Sequence, residues 1–435
     1  MIRLMTASPL WARIFVAMAL GIVLGFGIRP EGFLAGIVDV KAWSDGLKLV
    51  GDTFIRLIRM LAVPLIFVSV AAAVVSIGDL SRLGRSGARI AALYIPSGLL
   101  AACLGVLLAT LIQPGAGVIA PEGIVPPIAK PPPTGNDIVA MFIPSNPFKA
   151  LAEGEMLAVI TFALMFGVGI LGARDVAKPV ADVLEGAAQA LTKLVGYVME
   201  LAPIGAFALM AWAIALMGAD ALVKLAALIG TVYLGCAIYA IFVYGGFIKF
   251  ALRLPLLPFY KGMSEAVAVA YSTSSSNATL PVTMRCMIER LGISRRMSAF
   301  VASLGATVNM DGTAMYMCIV TIFGAQLFGV DLSTGQIIGI IIASSLGAIG
   351  AAGIPGGSIV FIPLVLGVAG VPLEVIAIIL GADRIMDMMR TVVNVLGDSA
   401  AGLAVAKWEG ELDEDRYRTN QPETNVESVK SRNLK

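Results

Sequence analysis

The hydrophobic residues of this chain come in long blocks instead of the three- and four-residue spacing of a half-buried helix. A block of about 20 residues matches roughly 30 Å of hydrocarbon at a rise of about 1.5 Å per residue. The blocks in the first half of the chain cover residues 9–28, 47–77, 90–112, 156–171, 191–217 and 225–250. The pattern predicts an all-α polytopic membrane protein.

After residue 250 the apolar blocks are interrupted by polar or small residues. Short apolar arms flank a serine-rich run at 272–281, and the long block that follows is broken at 309–313. The same order recurs with a glycine-rich run at 347–357 and a charged apolar block at 373–406. Because neither pair of arms is long enough to span a membrane, each predicts a re-entrant helical hairpin. The two units form inverted repeats, which frame the binding site in many transporters.

The basic residues indicate which loops face the cytoplasm. When the spans alternate, one face receives the loops near Arg82, Arg174, Arg253 and Arg295. The positive-inside rule makes this face cytoplasmic and places both termini on it. The proline-rich segment 114–155 is then an external loop, and 408–435 is a polar cytoplasmic tail for which we predict no fixed structure. Arg56 and Arg59 in the second block receive no role from this pattern.

Composition narrows the function. Only 14% of the residues are charged, against about 25% in soluble domains. The net charge of +2 does not indicate binding to nucleic acid. The chain has no histidine and its 4 cysteines lack metal-ligand spacing. A serine–histidine intramembrane protease is therefore excluded. A two-aspartate protease would need a Gly-x-Gly-Asp run, and residues 395–398 match this run only in part. A channel is the other alternative, but paired hairpin tips favour gates and hence a carrier, not an enzyme.

The last apolar block carries polar groups that a helix would place on one stripe. At about 100° per residue, the stripe is roughly 100° wide. Its members are Asp383, Asp387, Arg390, Thr391, Asn394 and Asp398. A charge at the bilayer centre costs at least about 2.5–3.5 kcal/mol, so these groups need partners or a water-filled cavity. A salt bridge between Arg390 and Asp387 would leave Asp383 and Asp398 to be neutralised by a bound cation or a further base.

The chemistry of this stripe suits a zwitterion that carries a second carboxylate. A guanidinium such as that of Arg390 donates two parallel hydrogen bonds to a carboxylate, and Asp387 suits an ammonium group. Asn309, Asp311 and Asp398 suit a hard monovalent cation, which also binds carbonyls where a helix unwinds. The run 309–312, which contains a flexible glycine amid apolar sequence, marks an expected unwinding point. Both hairpin tips offer hydroxyl or backbone N–H groups to an anion.

These features resemble the dicarboxylate/amino acid:cation symporter family, which contains the glutamate and aspartate transporters. The resemblance runs from the first block to Lys407 and is most specific at 272–281, 309–313, 350–357 and 383–399. It implies a homotrimer whose protomers each have eight transmembrane helices and two re-entrant hairpins. The scaffold would comprise residues 1–89 and 156–217, and an elevator-type transport domain would comprise residues 90–113 and 218–407.

The resemblance also implies roles for individual residues. Arg390 would hold the side-chain carboxylate of the substrate, and Asp387 its amino group. The other substrate contacts would be Ser276, Thr313, Ile354, Thr391 and Asn394. Three sodium sites would use side chains and carbonyls of Tyr94, Ser97, Gly305, Thr307, Asn309, Asp311, Ala348, Ala351, Asn394 and Asp398.

The resemblance implies import of L-aspartate or L-glutamate with Na⁺ across the plasma membrane, which is the inner membrane in a bacterium. Proton-coupled relatives tend to lose the carboxylate matching Asp398, and C4-dicarboxylate carriers lack the acid matching Asp387. A proton-coupled glutamate carrier and a C4-dicarboxylate:cation symporter remain the alternatives. Many relatives carry a further arginine where this chain has Ser274 or Met388, so potassium counter-transport does not follow from the resemblance.

Overall fold

The computed structural model describes residues 10–29, 31–34, 36–37, 39–82, 85–117, 143–351, 353 and 356–420. Within these ranges the chain forms helices and turns, and its one strand-like contact is a bridge between Ile293 and Leu412. The all-α prediction is therefore confirmed for the described residues. The predictions for most of the proline-rich loop (118–142), for Ile354 and for the end of the tail (421–435) lie outside them.

The first half of the chain forms helices that mostly match the predicted blocks. They are α1 (Leu10–Gly27), α2 (Val40–Arg82), α3 (Arg85–Ile112), α4 (Pro147–Glu153), α5 (Met156–Ala173), α6 (Lys178–Met199) and α7 (Ala202–Met217). The predicted block 191–217 was wrong as a single element, because α6 and α7 are bent by 53° relative to each other. Pro203 lies in the first turn of α7, where a missing N–H breaks no intrahelical hydrogen bond. The proline therefore marks the start of a new helix.

The second half contains the shorter, interrupted helices. They are α8 (Ala219–Ile238), α9 (Leu256–Thr273), α10 (Ser276–Glu289), α11 (Arg295–Val308), α12 (Asp311–Leu327), α13 (Thr334–Gly350), α14 (Ile362–Ala369), α15 (Glu374–Glu409) and α16 (Glu414–Thr419). After α8 the chain continues in two π-helical stretches, Tyr239–Tyr244 and Phe247–Ala251. The gap between α11 and α12 falls at Asn309 and Met310, inside the run where the sequence predicts unwinding.

Two pairs of short helices turn back on themselves. α9 and α10 form hairpin 1, and α13 and α14 form hairpin 2. The tip of hairpin 1 is shorter than the predicted run 272–281, because only Ser274 and Ser275 separate its helices. Ser274 adopts a left-handed φ of 51°, and Ser275 caps α10 by accepting a hydrogen bond from the N–H of Ala278 at 3.1 Å. The tip of hairpin 2 ends in a 3₁₀ turn, Gly357–Val360.

Several described helices are suited to a membrane. Three are long and apolar enough to cross it alone: Val40–Val75, Ala92–Ile112 and Ala219–Ala251. The bent pair α6–α7 makes a fourth if it counts as one span. α15 has the necessary length, with 36 residues, but it carries the charged stripe. The chain is a multi-pass membrane protein.

The helices pack in two groups. α1, α2, α5, α6 and α7 pack mainly on one another, whereas α3 packs mainly on α12 and also on α8, α13 and α15, which places it with the helices of the second half. Small residues permit close approach within each group, because a Cβ at Gly21 of α1 would lie 2.5 Å from the carbonyl oxygen of Phe207. Likewise a Cβ at Gly105 of α3 would lie 2.6 Å from the carbonyl oxygen of Met315. The two groups meet where α13 packs on α2 and α15 packs on α7.

The first residues of the tail are folded, so the prediction of an unstructured tail was wrong for residues 408–420. Tyr417 in α16 is fully buried, and its hydroxyl donates to the carbonyl of Pro255 at 2.7 Å. Asn420 Nδ2 donates to the carbonyl of Pro258 at 3.0 Å. A hydrogen bond from Lys407 lowers the pKa of Glu414 below its usual range. The tail thus returns to the base of hairpin 1, which the sequence did not indicate because its composition is polar.

Candidate substrate and cation sites

The tips of the two hairpins touch each other beside α15. Ser275 Oγ of hairpin 1 donates to the carbonyl of Gly353 in hairpin 2 at 2.7 Å. The backbone N–H of Asn277 donates to the same carbonyl at 3.1 Å. A Cβ at Gly353 would lie 2.6 Å from the carbonyl of Ala306, so the tip also fits tightly against α11. The tips therefore close over the middle of α15.

Arg390 lies at the centre of a buried ionic network below the tips. Its Nη1 donates to Asp383 Oδ1 at 2.9 Å, and its Nε donates to Asp387 Oδ1 at 2.8 Å. The guanidinium lies 4.2 Å from the ring centroid of Tyr316, whose hydroxyl donates to Asp383 Oδ1 at 2.7 Å. Arg390 is 1% exposed, so this pairing takes place away from water. The expectation that Asp383 would need a bound cation or a further base was wrong, because Arg390 reaches both acids.

Asp387 links this network to hairpin 2. Its Oδ2 accepts a hydrogen bond from the backbone N–H of Gly356 at 2.9 Å, and its Oδ1 accepts from Arg390. Thr391 Oγ1 donates weakly to the same Oδ1 at 3.4 Å. The carboxylate is thus the meeting point of α15 and the tip of hairpin 2.

The next turn of α15 contacts the start of α12. Asn394 Oδ1 accepts from the N–H of Gly312 at 2.9 Å, and Asn394 Nδ2 donates to Thr313 Oγ1 at 3.4 Å. A Cβ at Gly312 would lie 2.4 Å from the carbonyl of Arg390, so only glycine allows the two helices to approach this closely. The start of α12, which follows the break between α11 and α12, is therefore held directly against the polar stripe of α15.

The predicted substrate residues in the described part line one small space. Its walls are Ser274, Ser276, Met310, Thr313, Ala351, Gly353, Ser358, Asp387, Arg390, Thr391 and Asn394. The volume is about 10 Å³, close to the minimum for a single water molecule. A space of this volume is too small for an amino acid. Ile354, the remaining predicted contact, lies outside the described residues.

Asp311 collects hydroxyl donors at the break between α11 and α12. Tyr244 donates to its Oδ2 at 2.7 Å, and Ser97 of α3 donates to the same oxygen. Tyr239 holds Ser97 in place by donating to its backbone carbonyl at 2.7 Å. Tyr94 lines the adjoining cavity of about 130 Å³. The structure thus brings together the predicted cation residues of α3 and α12.

Asp398 lies further along α15, toward the C-terminal end of that helix. Its Oδ1 accepts from Asn309 Nδ2 at 3.0 Å, while Asn309 Oδ1 has no hydrogen-bond partner in the described residues. A Cβ at Gly305 would lie 2.1 Å from Asp398 Oδ1 and 2.7 Å from the hydroxyl of Tyr94. Oxygen atoms of Asp398 and Tyr94 therefore lie close to Gly305, and oxygen is the ligand that hard cations prefer.

The third predicted cation group is more dispersed. Thr307 Oγ1 donates to the carbonyl of Leu304 at 2.9 Å and is exposed to a large cavity that Ala351 also lines. Ala348 faces the smaller cavity beside Asp311 instead. The large cavity has a volume of about 1200 Å³ and separates the hairpin tips from the polar face of α6. That face contributes Asp182, Glu185, Gln189, Thr192 and Lys193.

The chain matches the family model described as the sodium:dicarboxylate symporter family over residues 10–408. It belongs to that family. The Proton/sodium-glutamate symport protein of Bacillus caldotenax is 34% identical over 412 residues, covering 93% of this chain and 95% of the relative. The protein of the same description from Bacillus subtilis is 33% identical, covering 92% and 97%. The C4-dicarboxylate transport protein of Azorhizobium caulinodans is 34% identical, covering 94% and 90%. The chain is a membrane transporter and not an enzyme.

Several residues that contact the candidate site were missed by the sequence reasoning. Arg384 Nη2 of α15 donates to the carbonyl of Thr273 at 3.0 Å, at the end of the first arm of hairpin 1. A charged residue next to Asp383 in an apolar block could have indicated a role for Arg384 in the site. Tyr316 and Tyr244 pair with acids on other elements, and no local pattern identifies such partners. Ser358 was hidden in a glycine-rich run.

Proposed function

We propose that the protein is a secondary active symporter that imports L-aspartate or L-glutamate with Na⁺. The observation that carries this proposal is the pair Asp387 and Arg390, buried together beneath the touching hairpin tips. An incoming substrate can exchange partners with this pair, its carboxylate replacing the acids on Arg390 and its ammonium replacing Arg390 on Asp387. Charge stays balanced during that exchange, which avoids leaving an ion unpaired in the membrane.

Two alternatives differ in substrate or in coupling ion. Relatives described as glutamate symporters and as C4-dicarboxylate transporters are both 34% identical to this chain, so overall identity does not separate them. Asp387 favours the amino acid, because a dicarboxylate offers no ammonium group to its carboxylate. Asp398 and Asn309 Oδ1, which has no partner among the described residues, favour Na⁺ over a proton, since both supply oxygen to a metal cation.

We also propose eight transmembrane helices, two re-entrant hairpins, cytoplasmic termini and location in the plasma membrane, the inner membrane if the cell is bacterial. Residues 1–89 and 156–217 would form the scaffold, and 90–113 with 218–407 would form the moving transport domain. The separate packing of the two helix groups supports this division. The cavity of about 1200 Å³ reaches the basic face at Lys178, which supports an elevator state that opens to the cytoplasm.

An exposed apolar seam supports the proposed homotrimer. Its residues form two sets, one in the turn before α6 and at the start of α6, the other from the end of α6 to the start of α7, and within each set they lie three or four positions apart, as in a helix–helix interface. They are Val176, Val180, Val183, Leu194, Tyr197, Leu201 and Ile204. Lipid or a second copy of the chain would cover such a seam.

Uptake into proteoliposomes tests the proposal. Labelled L-aspartate would be offered under an inward sodium gradient, an inward proton gradient or no gradient, with glutamate, succinate or serine as competitors. We expect sodium-driven uptake that glutamate blocks and that succinate and serine leave unchanged. Uptake driven only by protons would reject the cation assignment, and competition by succinate would favour the C4-dicarboxylate alternative.

A further inference from the structure

Ser358 is a buried hydroxyl in the tip of hairpin 2. It lies in the 3₁₀ turn Gly357–Val360 and is 4% exposed. Its Oγ has no hydrogen-bond partner within the part of the chain that the structure describes. The residue lines the small space between the hairpin tips and α15, together with Asp387, Arg390 and Thr391. Because an unpartnered buried hydroxyl destabilises a protein, its position needs an explanation.

We propose that Ser358 Oγ donates a hydrogen bond to a carboxylate of the substrate, which makes it a further substrate-binding residue. This inference rests on the proposed function, since it assumes that the space holds an acidic substrate. No acceptor of the described protein lies within hydrogen-bonding reach of the hydroxyl, so its proton is left for a ligand. A ligand acceptor would satisfy the group that the protein leaves unsatisfied.

The neighbours of Ser358 select a carboxylate as that acceptor. The guanidinium of Arg390 lines the same space and makes the position unfavourable for a metal cation. An ammonium group finds a stronger acceptor in the carboxylate of Asp387. A carboxylate is the remaining charged part of an acidic amino acid, and it is attracted by Arg390 and accepts from a hydroxyl.

Other buried hydroxyls without a hydrogen-bond partner in the described ranges show that the position of Ser358 matters as much as its missing partner. Thr321 of α12 is also fully buried, and its Oγ1 likewise has no partner in the described residues. Thr321 does not line the space between the tips, whereas Ser274 of hairpin 1 does and has an unpartnered hydroxyl as well. The space is thus lined by one unpartnered hydroxyl from each hairpin among the described residues, which a ligand could satisfy, and Thr321 serves as the matched control.

The test is calorimetric binding of L-aspartate to the purified full-length protein in detergent at saturating sodium. Ser358→Ala should weaken binding roughly tenfold, as expected for a lost hydrogen bond to a charged group. Ser358→Cys, a weak donor of similar size, should weaken it in the same direction. Ser358→Thr keeps the hydroxyl and should restore most of the affinity. Thr321→Val should leave aspartate affinity unchanged.

The outcomes separate this inference from the proposed function. If the unaltered protein binds neither aspartate nor glutamate, the proposed function fails and the inference fails with it. If the unaltered protein binds aspartate and both Ser358→Ala and Ser358→Cys bind it equally well, only the inference is overturned. The inference is also overturned if the variants change the sodium concentration needed for half-saturation while aspartate affinity at saturating sodium stays the same.

Discussion

Two regions of α15 bury acidic side chains, and they neutralise them in opposite ways. Around Asp383 and Asp387 the protein supplies its own cation, since Arg390 contacts both carboxylates at 2.8–2.9 Å. Around Asp398 the contacts come from uncharged groups, chiefly Asn309 Nδ2 at 3.0 Å. We name these the arginine region and the oxygen region. We include Asp311 at the start of α12, with its hydroxyl donors Tyr244 and Ser97, in the oxygen region because its described partners are also uncharged.

The difference indicates how each region would respond to a ligand. In the arginine region the acids and the base can be exchanged for the opposite charges of a zwitterion, so the net charge need not change. In the oxygen region a buried carboxylate without a basic partner is costly, and a metal cation would remove that cost. We therefore infer that substrate selectivity and sodium dependence can be altered separately by substitutions in the two regions.

The largest effect is expected from removing the base of the arginine region. Arg390→Ala deletes the carboxylate-binding group and leaves Asp383 and Asp387 unpaired inside the protein. Aspartate uptake in proteoliposomes should fall about 100-fold or more, because breaking a buried ion pair is strongly unfavourable. Arg285→Ala is the control, since Arg285 is a half-exposed arginine on hairpin 1 paired with Glu265. Unchanged aspartate affinity in Arg390→Ala would contradict the site assignment.

The second effect tests the oxygen region. Asp398→Asn keeps the size of the side chain but removes its charge, so a cation loses an anionic ligand. The sodium concentration for half-maximal uptake should rise about tenfold or more, given the strength of charge-assisted contacts in a buried site. The preference for aspartate over serine should stay the same. Asp331→Asn, at an exposed position, is the matched control. A change in selectivity alone would move Asp398 into the substrate site.

Much of this arrangement follows from the helical period, and the rest depends on contacts between elements. The six polar residues of the stripe are all buried on one helix, as an apolar block with polar groups at helical spacing requires. The helix break before Asp311 likewise follows from the local run. Because residues seven positions apart lie on the same face of a helix, Arg390 also reaches Asp383, two turns away. The sequence alone predicts only the pair of Arg390 with Asp387. Tyr316 could not be predicted, because its helix has no sequence feature that indicates α15 as its neighbour.

A third, smaller effect is expected from Arg384, the second basic side chain near the arginine region. Arg384 lies beside Asp383 and donates to the carbonyl of Thr273 at 3.0 Å, so it ties hairpin 1 to α15. Arg384→Gln should lower the maximal rate of aspartate uptake roughly three- to tenfold, since a charge-assisted hydrogen bond is lost. Arg384→Lys keeps the charge but not the planar fork. Recovery in the lysine variant would assign the effect to charge, and failure to recover would assign it to hairpin geometry. Unchanged rates in both variants would contradict a role for Arg384.

The smallest effect gives the sharpest test of the comparison, because two tyrosines play matched roles. Tyr316 donates to Asp383 in the arginine region, and Tyr244 donates to Asp311 in the oxygen region, each at 2.7 Å. Replacing either by phenylalanine removes one hydroxyl and little volume, which is worth about 0.5–1.5 kcal/mol or a few-fold in affinity. Tyr316→Phe should alter aspartate affinity at saturating sodium, and Tyr244→Phe should alter the sodium half-saturation at saturating aspartate. If each variant changed both quantities equally, the regions would be coupled and the separation inferred from their partners would be wrong.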